Sequence, residues 1–196
     1  TVDRFKRVVL TEMSATLAFS ALQNNDKVGL ILFSGEVELF IPPKKGKSHV
    51  LRIIRELLEF EPKSHNTDIS GALKFLSNVL KKKSIVFVLS DIMADAYDHN
   101  LQITGKKHDL TGIRVYDPME TSLPNLGVVP MQDAETGEIQ WINTQSAKVR
   151  DTYAHFYNKR VEYFRDTFAR AGCGSLDCRV DESYVKKLLG YFKRRA

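Results

Sequence analysis

KKKSIVFVLSD, residues 81–91, sets three lysines before an unbroken apolar run that stops at a carboxylate. Ile85, Val86, Phe87, Val88 and Leu89 include three β-branched side chains and no polar one. That is the composition of a strand covered on both faces, as in a parallel sheet. Asp91 falls where such a strand leaves the sheet. Open α/β sheets bind ligands beyond the carboxyl ends of their strands, which makes Asp91 the first candidate site residue. The competing reading is local, because a strand-end aspartate also caps a following helix.

Downstream, a helical pattern near Tyr97 to Lys107 leads to DLTGIRVYD at 109–117, apolar until it too ends in aspartate. Strand, helix, strand implies a right-handed crossover between parallel neighbours. Pro118 follows Asp117, which favours a turn role over chemistry there. Upstream, Asp68 can cap a helix carrying Ile69, Leu73, Leu76 and Leu80. Val50, Leu51, Ile54, Leu57 and Leu58 mark another, ended before Pro62. KVGLILFS at 27–34 and EVELFI at 36–41 read as strands joined by a two-residue turn at Ser34-Gly35, the second stopped by Pro42 and Pro43. Phe5, Val9, Met13, Leu17 and Ala21 predict a helix over 3–23.

Beyond PMETSLPN, a second hairpin is expected over 126–133 and 138–143, where Gly137 of ETGE can supply a positive φ. A long helix over 146–171 carries Val149, Tyr153, Phe156, Phe164 and Phe168 on one face. A short strand at 175–180 and a helix from Asp181 follow. The order predicts a single α/β domain over 1–196, with a mostly parallel sheet, one antiparallel edge strand and an extra β-hairpin. The first helix has no strand before it, although the opening strand of such folds is usually central. Taken alone, the chain leaves an empty slot between the strands at 27–34 and 85–90. Preceding residues fill it, another chain does, or the two strands meet.

Composition narrows the function classes. The chain has 196 residues, 43% of them hydrophobic, enough for one sizeable core. Its longest apolar runs fall far short of the roughly 20 residues of a membrane-spanning helix, and no signal-peptide pattern occurs. Cys173 and Cys178 form no CxxC pair and read as reduced, inert thiols of a cytoplasmic protein. The formal charge of +5 is scattered over a turn (Lys44, Lys45, Lys47), expected helix ends (Lys81 to Lys83, Lys106, Lys107) and the last residues, so nonspecific nucleic-acid binding rests on charge alone. His65, His99, His108 and His155 lie in polar surroundings and His49 opens a helix, without metal spacing; all five read as surface residues. No GxSxG, GxGxxG or GxxxxGK[ST] pattern is present, and no active site is constituted. A metal-dependent phosphate-ester hydrolase stays open as an alternative, since strand-end aspartates can hold Mg²⁺.

The phrases NNDKVGLILFS, FIPPKKGKSHVLRIIRELL, NTDISGAL, SIVFVLSD, GIRVYDPMETSLP and DAETGE, in that order, resemble the von Willebrand factor A-like domain of the bacterial "domain of unknown function fifty-eight" family. The resemblance covers nearly the whole chain. It implies an A-like, Rossmann-like three-layer fold. It also implies a cytoplasmic adaptor or assembly factor, not an enzyme, that works with a MoxR-type AAA+ ATPase or another A-domain protein. A-domains hold Mg²⁺ or Mn²⁺ at a metal-ion-dependent adhesion site. Thr67 in NTDIS matches that site's threonine and Asp91 in VLSD its aspartate. The Asp-x-Ser-x-Ser motif that supplies the other ligands is absent, and the resemblance places it before Thr1, so the chain reads as the later part of a longer protein. Mg²⁺ wants about six oxygens, and two candidate ligands make a half-built site at which no tightly held metal is expected. Thr67 reads equally as a helix cap beside Asp68.

Overall fold

Two apolar runs with one helix between them dictate the centre of the fold. In the computed structural model the order is α1 (Val2–Gln23), β1 (Val28–Phe33), β2 (Val37–Lys44), α2 (Lys47–Glu59), α3 (Ile69–Val79), β3 (Ile85–Ser90), α4 (Asp98–Lys107), β4 (Asp109–Tyr116), β5 (Val128–Gln132), β6 (Ile139–Asn143), α5 (Ala147–Arg170), β7 (Gly174–Arg179) and α6 (Tyr184–Lys193). Residues 2–64, 66–132 and 138–195 are described, with side chains at 6–64, 66–131 and 138–195. Thr1, His65, the Phe5 side chain and the turn glycine Gly137 lie outside them.

β3, β4 and β7 form a parallel sheet with β4 in the middle. The strand alternation serves two cores. Val86 and Val88 of β3 join Leu110, Ile69, Leu73 and Leu76 of α3, Leu101 of α4, and Phe164 and Phe168 of α5 on one face. Phe87 and Leu89 turn to the other, where Met13 of α1 and Leu188 and Tyr191 of α6 cover Ile113, Val115, Leu176 and Cys178. These are the three layers expected. Close packing requires Gly112 at the middle of β4, because a Cβ there would meet the rings of Phe168 and Phe164.

The sheet comes in two pieces. β1 and β2 pair antiparallel, as expected of an edge, but among the described residues β1 forms no ladder with β3. The two strands have not closed on each other, and the hairpin is tied to the rest through α1 and α3, which touch it. Ile31 and Phe33 reach the first core through α3. Among the described residues β3 therefore keeps one edge unpaired, where alternate backbone groups find no ladder partner.

Several local expectations shift. β2 continues through Pro42 and Pro43 to Lys44: the two prolines fall where the register slips by one between Val28 and Leu30, on a strand whose outer edge pairs with no other among the described residues. The β1–β2 turn spans three residues, since Phe33 already pairs with Val37. On α2 the buried positions are Val50 and Ile53, with Leu51 and Leu58 exposed. On α5 they are Tyr157, Val161, Phe164, Thr167 and Phe168, with Phe156 outside. Cys173 and Cys178 are both free thiols; burial raises both, Cys178 to about 11, which makes them poor nucleophiles.

β5 and β6 form an antiparallel ribbon of their own. Leu126, Val128, Ile139 and the single tryptophan, Trp141, are exposed on and beside it, Trp141 by 72%. Thr144 anchors it: its hydroxyl donates to the Gly127 carbonyl at 2.7 Å and accepts from the Leu126 N–H at 2.9 Å.

His108 departs furthest from its expected surface position. One residue separates α4 from β4, too short a junction to turn outward, so the ring is buried and neither nitrogen finds a hydrogen-bond partner among the described residues. Burial, then the neighbouring Lys107, lowers its pKa. The unfolded chain thus takes up this proton first, and the contribution of neutral His108 is present above about pH 6.5 and lost as pH falls through the folded value. Urea denaturation at a series of pH values from 7.5 down to 5 should give a smaller acid loss for His108→Leu than for the wild type. Equal losses would remove His108 from the account. Amide exchange tests the split sheet: β4 should hold the slowest amides, and alternate β3 amides should exchange much faster. Uniform protection along β3 would mean that its free edge is covered.

Candidate functional site

β3 delivers Ser90 and Asp91 to its carboxyl end, and the chain then bends sharply. Ile92 has φ 54° and Ala96 φ 56°, both in the left-handed region. Ile92 stays there because its side chain is locked in the first core and its N–H donates to the Ser90 hydroxyl at 3.1 Å. Asp91 is part-exposed, its Oδ1 accepting from the Ser90 hydroxyl at 3.3 Å and the Met93 N–H at 3.4 Å. From α5, Arg160 donates to the Met93 carbonyl at 2.7 Å and pairs with Asp95 at 2.7 Å, clamping this loop.

The Thr67 loop opens beside it. Asp68 caps α3 by accepting from the Gly71 N–H at 2.8 Å, while its own N–H donates to the Ser34 carbonyl at 2.7 Å. Asn100 in the first turn of α4 donates to Ser70 Oγ at 2.8 Å in the first turn of α3, so both loops feed helix starts bound side by side. Thr67 is exposed, and among the described residues no hydrogen bond joins it to Asp91.

Asp91 instead meets two residues that the sequence reading passed over. The Lys6 ammonium lies 2.6 Å from Glu120 Oε1 and 3.6 Å from Asp91 Oδ2. Glu120 is fixed by a capping box over Pro118–Glu120, in which Asp117 accepts from the Met119 N–H at 2.8 Å and Glu120 accepts from the Asp117 N–H at 3.3 Å. This is the turn role expected of Asp117. Tyr153 donates to the Glu120 carbonyl at 3.0 Å; burial and the nearby Glu120 raise that phenol, which keeps it a donor. Both residues left a signal: Asp-x-x-Glu is a capping pattern, and Lys6 falls on the same stripe of α1 as Val9, Met13 and Leu17.

As a metal site the donors do not fit. A hard divalent ion needs about six oxygens. Here the two strand-end carboxylates already share an ammonium, and among the described residues no group of three or more His, Cys, Asp or Glu is arranged to hold an ion.

Beneath the Glu120 turn, Arg114 of β4 is buried with its side chain 3% exposed. It donates to Asp177 of β7 at 2.6 Å and to the Tyr157 hydroxyl at 2.9 Å, and lies 4.1 Å from the centre of the Tyr116 ring. Burial opposes its charge, but Asp177 and Tyr157 outweigh that and raise its pKa. Arg165 of α5 holds the second oxygen of Asp177 at 2.7 Å.

The sequence model described as "Protein of unknown function DUF58" matches residues 1–163. An uncharacterised protein of Mycobacterium tuberculosis is 23% identical over 97% of this chain and 61% of its own length. Another, from Mycobacterium avium, is 23% identical over 79% of this chain and 93% of its own length. The chain thus spans about three fifths of the first of these relatives. Among solved structures, BatB from Bacteroides thetaiotaomicron superposes with a TM-score of 0.51 at 14% identity, covering 94% of this chain and 86% of BatB. An aerotolerance-related membrane protein from Bacteroides fragilis superposes at 0.53 and 15% identity, covering 94% and 88%. At these identities the likeness speaks to the fold, the A-like three-layer α/β class. Among the described residues no helix is long and apolar enough to cross a membrane.

Asp177→Ala should cost about 3 kcal/mol in urea denaturation, because it strands a buried guanidinium. Arg114→Met with Asp177→Leu should recover most of that loss; a single variant as stable as the wild type would show that Tyr157 suffices.

Proposed function

The chain belongs to the DUF58 family of proteins of unknown function, and on that premise we propose that it is a protein-interaction module, an adaptor or assembly factor and not an enzyme. Its partner is a MoxR-type AAA+ ATPase or another A-domain protein, met in the cytoplasm. The contact face is the end of the domain where the Asp91 and Thr67 loops open together. A contact bridged by a metal ion would need oxygen donors beyond Thr67 and Asp91.

The observation that carries the reading is the left-handed Ile92 directly after Asp91. A β-branched residue in that region is unfavourable by roughly 1–3 kcal/mol, and such strain persists where the surroundings enforce it, most often at functional loops. Here the core anchors Ile92, and the strained turn leaves Asp91 part-exposed at the strand end instead of starting a helix. α4 begins seven residues later, so Asp91 is not its cap.

Isothermal titration of this protein with the MoxR-type ATPase of the same organism, with Mg²⁺ and with EDTA, tests the proposal. Binding should weaken at least about tenfold, ~1.4 kcal/mol, in Asp91→Ala, and less in Thr67→Ala. No heat with the wild type, or an unchanged affinity in Asp91→Ala, would overturn it.

A further inference from the structure

We infer that Lys6 is the resident cation of the strand-end site, a tethered ammonium that occupies the place between Asp91 and Glu120, and that a divalent ion enters there only when Lys6 is removed. Lys6 thereby sets the charge of the site itself, apart from any partner it meets.

The carboxylates come from separate elements, Asp91 from the end of β3 and Glu120 from the turn after β4. The adjacent parallel strands bring them within reach of one ammonium. Neither is free to move away. Asp91 is held by Ser90 and Met93, and Glu120 by the capping box and by Tyr153 at its backbone. Two fixed carboxylates facing one point repel each other unless a positive charge stands between them. Lys6 supplies it from α1, with its side chain 14% exposed, far less than a lysine on an outer helix face. Its stem lies on the stripe that seats Val9 and Met13 against the second core. The ammonium is therefore delivered by the packing of α1 and not by chance surface pairing.

An ammonium and a metal ion satisfy the same carboxylates differently. The ammonium donates three hydrogen bonds in a compact tetrahedral head, whereas Mg²⁺ or Mn²⁺ gathers about six oxygens and retains waters. The two cannot share the position, because like charges would then stand side by side. With Lys6 in place the local charge is partly neutralised and the oxygens face inward. Without it, two carboxylates at fixed positions, with room for water on the part-exposed Asp91 side, are left to attract a divalent ion that must take the rest of its shell from water.

Mn²⁺ titration followed by the electron paramagnetic resonance signal of the free ion reads this directly, without any partner, so failure of the ATPase contact leaves its outcome untouched. Wild type should bind Mn²⁺ weakly, Lys6→Met at least about tenfold more tightly, and Lys6→Met with Glu120→Gln as weakly as the wild type. Lys6→Arg, which keeps the charge, should match the wild type. If Lys6→Met loses its far-ultraviolet circular dichroism, Lys6→Gln is read in its place. Equal affinities of wild type and the charge-removing variants, or tight binding by the wild type, would overturn the inference.

Discussion

A guanidinium taken out of water must bring its counter-charge with it, and much of the domain is arranged around that requirement at Arg114. The strand that carries it, β4, is the middle strand of the parallel sheet and has no route to solvent on either edge. Asp177 on β7 answers it across the ladder, and the same carboxylate then fastens Arg165 of α5. Tyr157 completes the shell from the helix. One buried charge thereby fixes the pairing of β4 with β7 and the seat of α5. The turn after β4 inherits that order, and Tyr153, one helical turn before Tyr157, holds the Glu120 carbonyl.

The parts of the fold legible in the sequence were those governed by nearest neighbours. The β3 and β4 runs are apolar because both faces are covered, and they announce themselves without reference to the rest of the chain. Asp68 and Asp117 act within three residues of their own positions, so their caps could be read from spacing. Where a residue's fate depends on distant chain, the reading failed. Prolines usually end strands, yet Pro42 and Pro43 sit at a register slip on an edge that no other strand joins among the described residues. His108 looked polar among lysines, but the brevity of one junction drove it inward. On α5 the apolar stripe permitted two phases, and the rings of Phe164 and Phe168 against Gly112 select one of them.

The site divides along the same line. Asp91 was found because strand ends are where open sheets present chemistry. Thr67 entered through family resemblance, and the structure sets its loop beside that of Asp91 through Asn100 and Ser70 without a bond between the two residues. Lys6 and Glu120 belong to the site only after α1 has packed and β4 has turned, and they lie 85 and 29 residues from Asp91. A charge on the buried stripe of α1 was the visible clue, since a lysine on an apolar stripe demands a partner somewhere.

Trp141 carries a consequence of another kind. It is the only tryptophan in the chain, and it stands on the β5–β6 ribbon, largely in water and part of neither core. Its emission therefore reports the solvent around that ribbon and not the burial of the interior. Loss of the core would leave the spectrum nearly where it began, a poor optical gauge of folding. Any molecule that covered the ribbon would shift the emission towards the blue. The protein thus carries an intrinsic optical probe on its surface, one tuned to contact and almost blind to collapse.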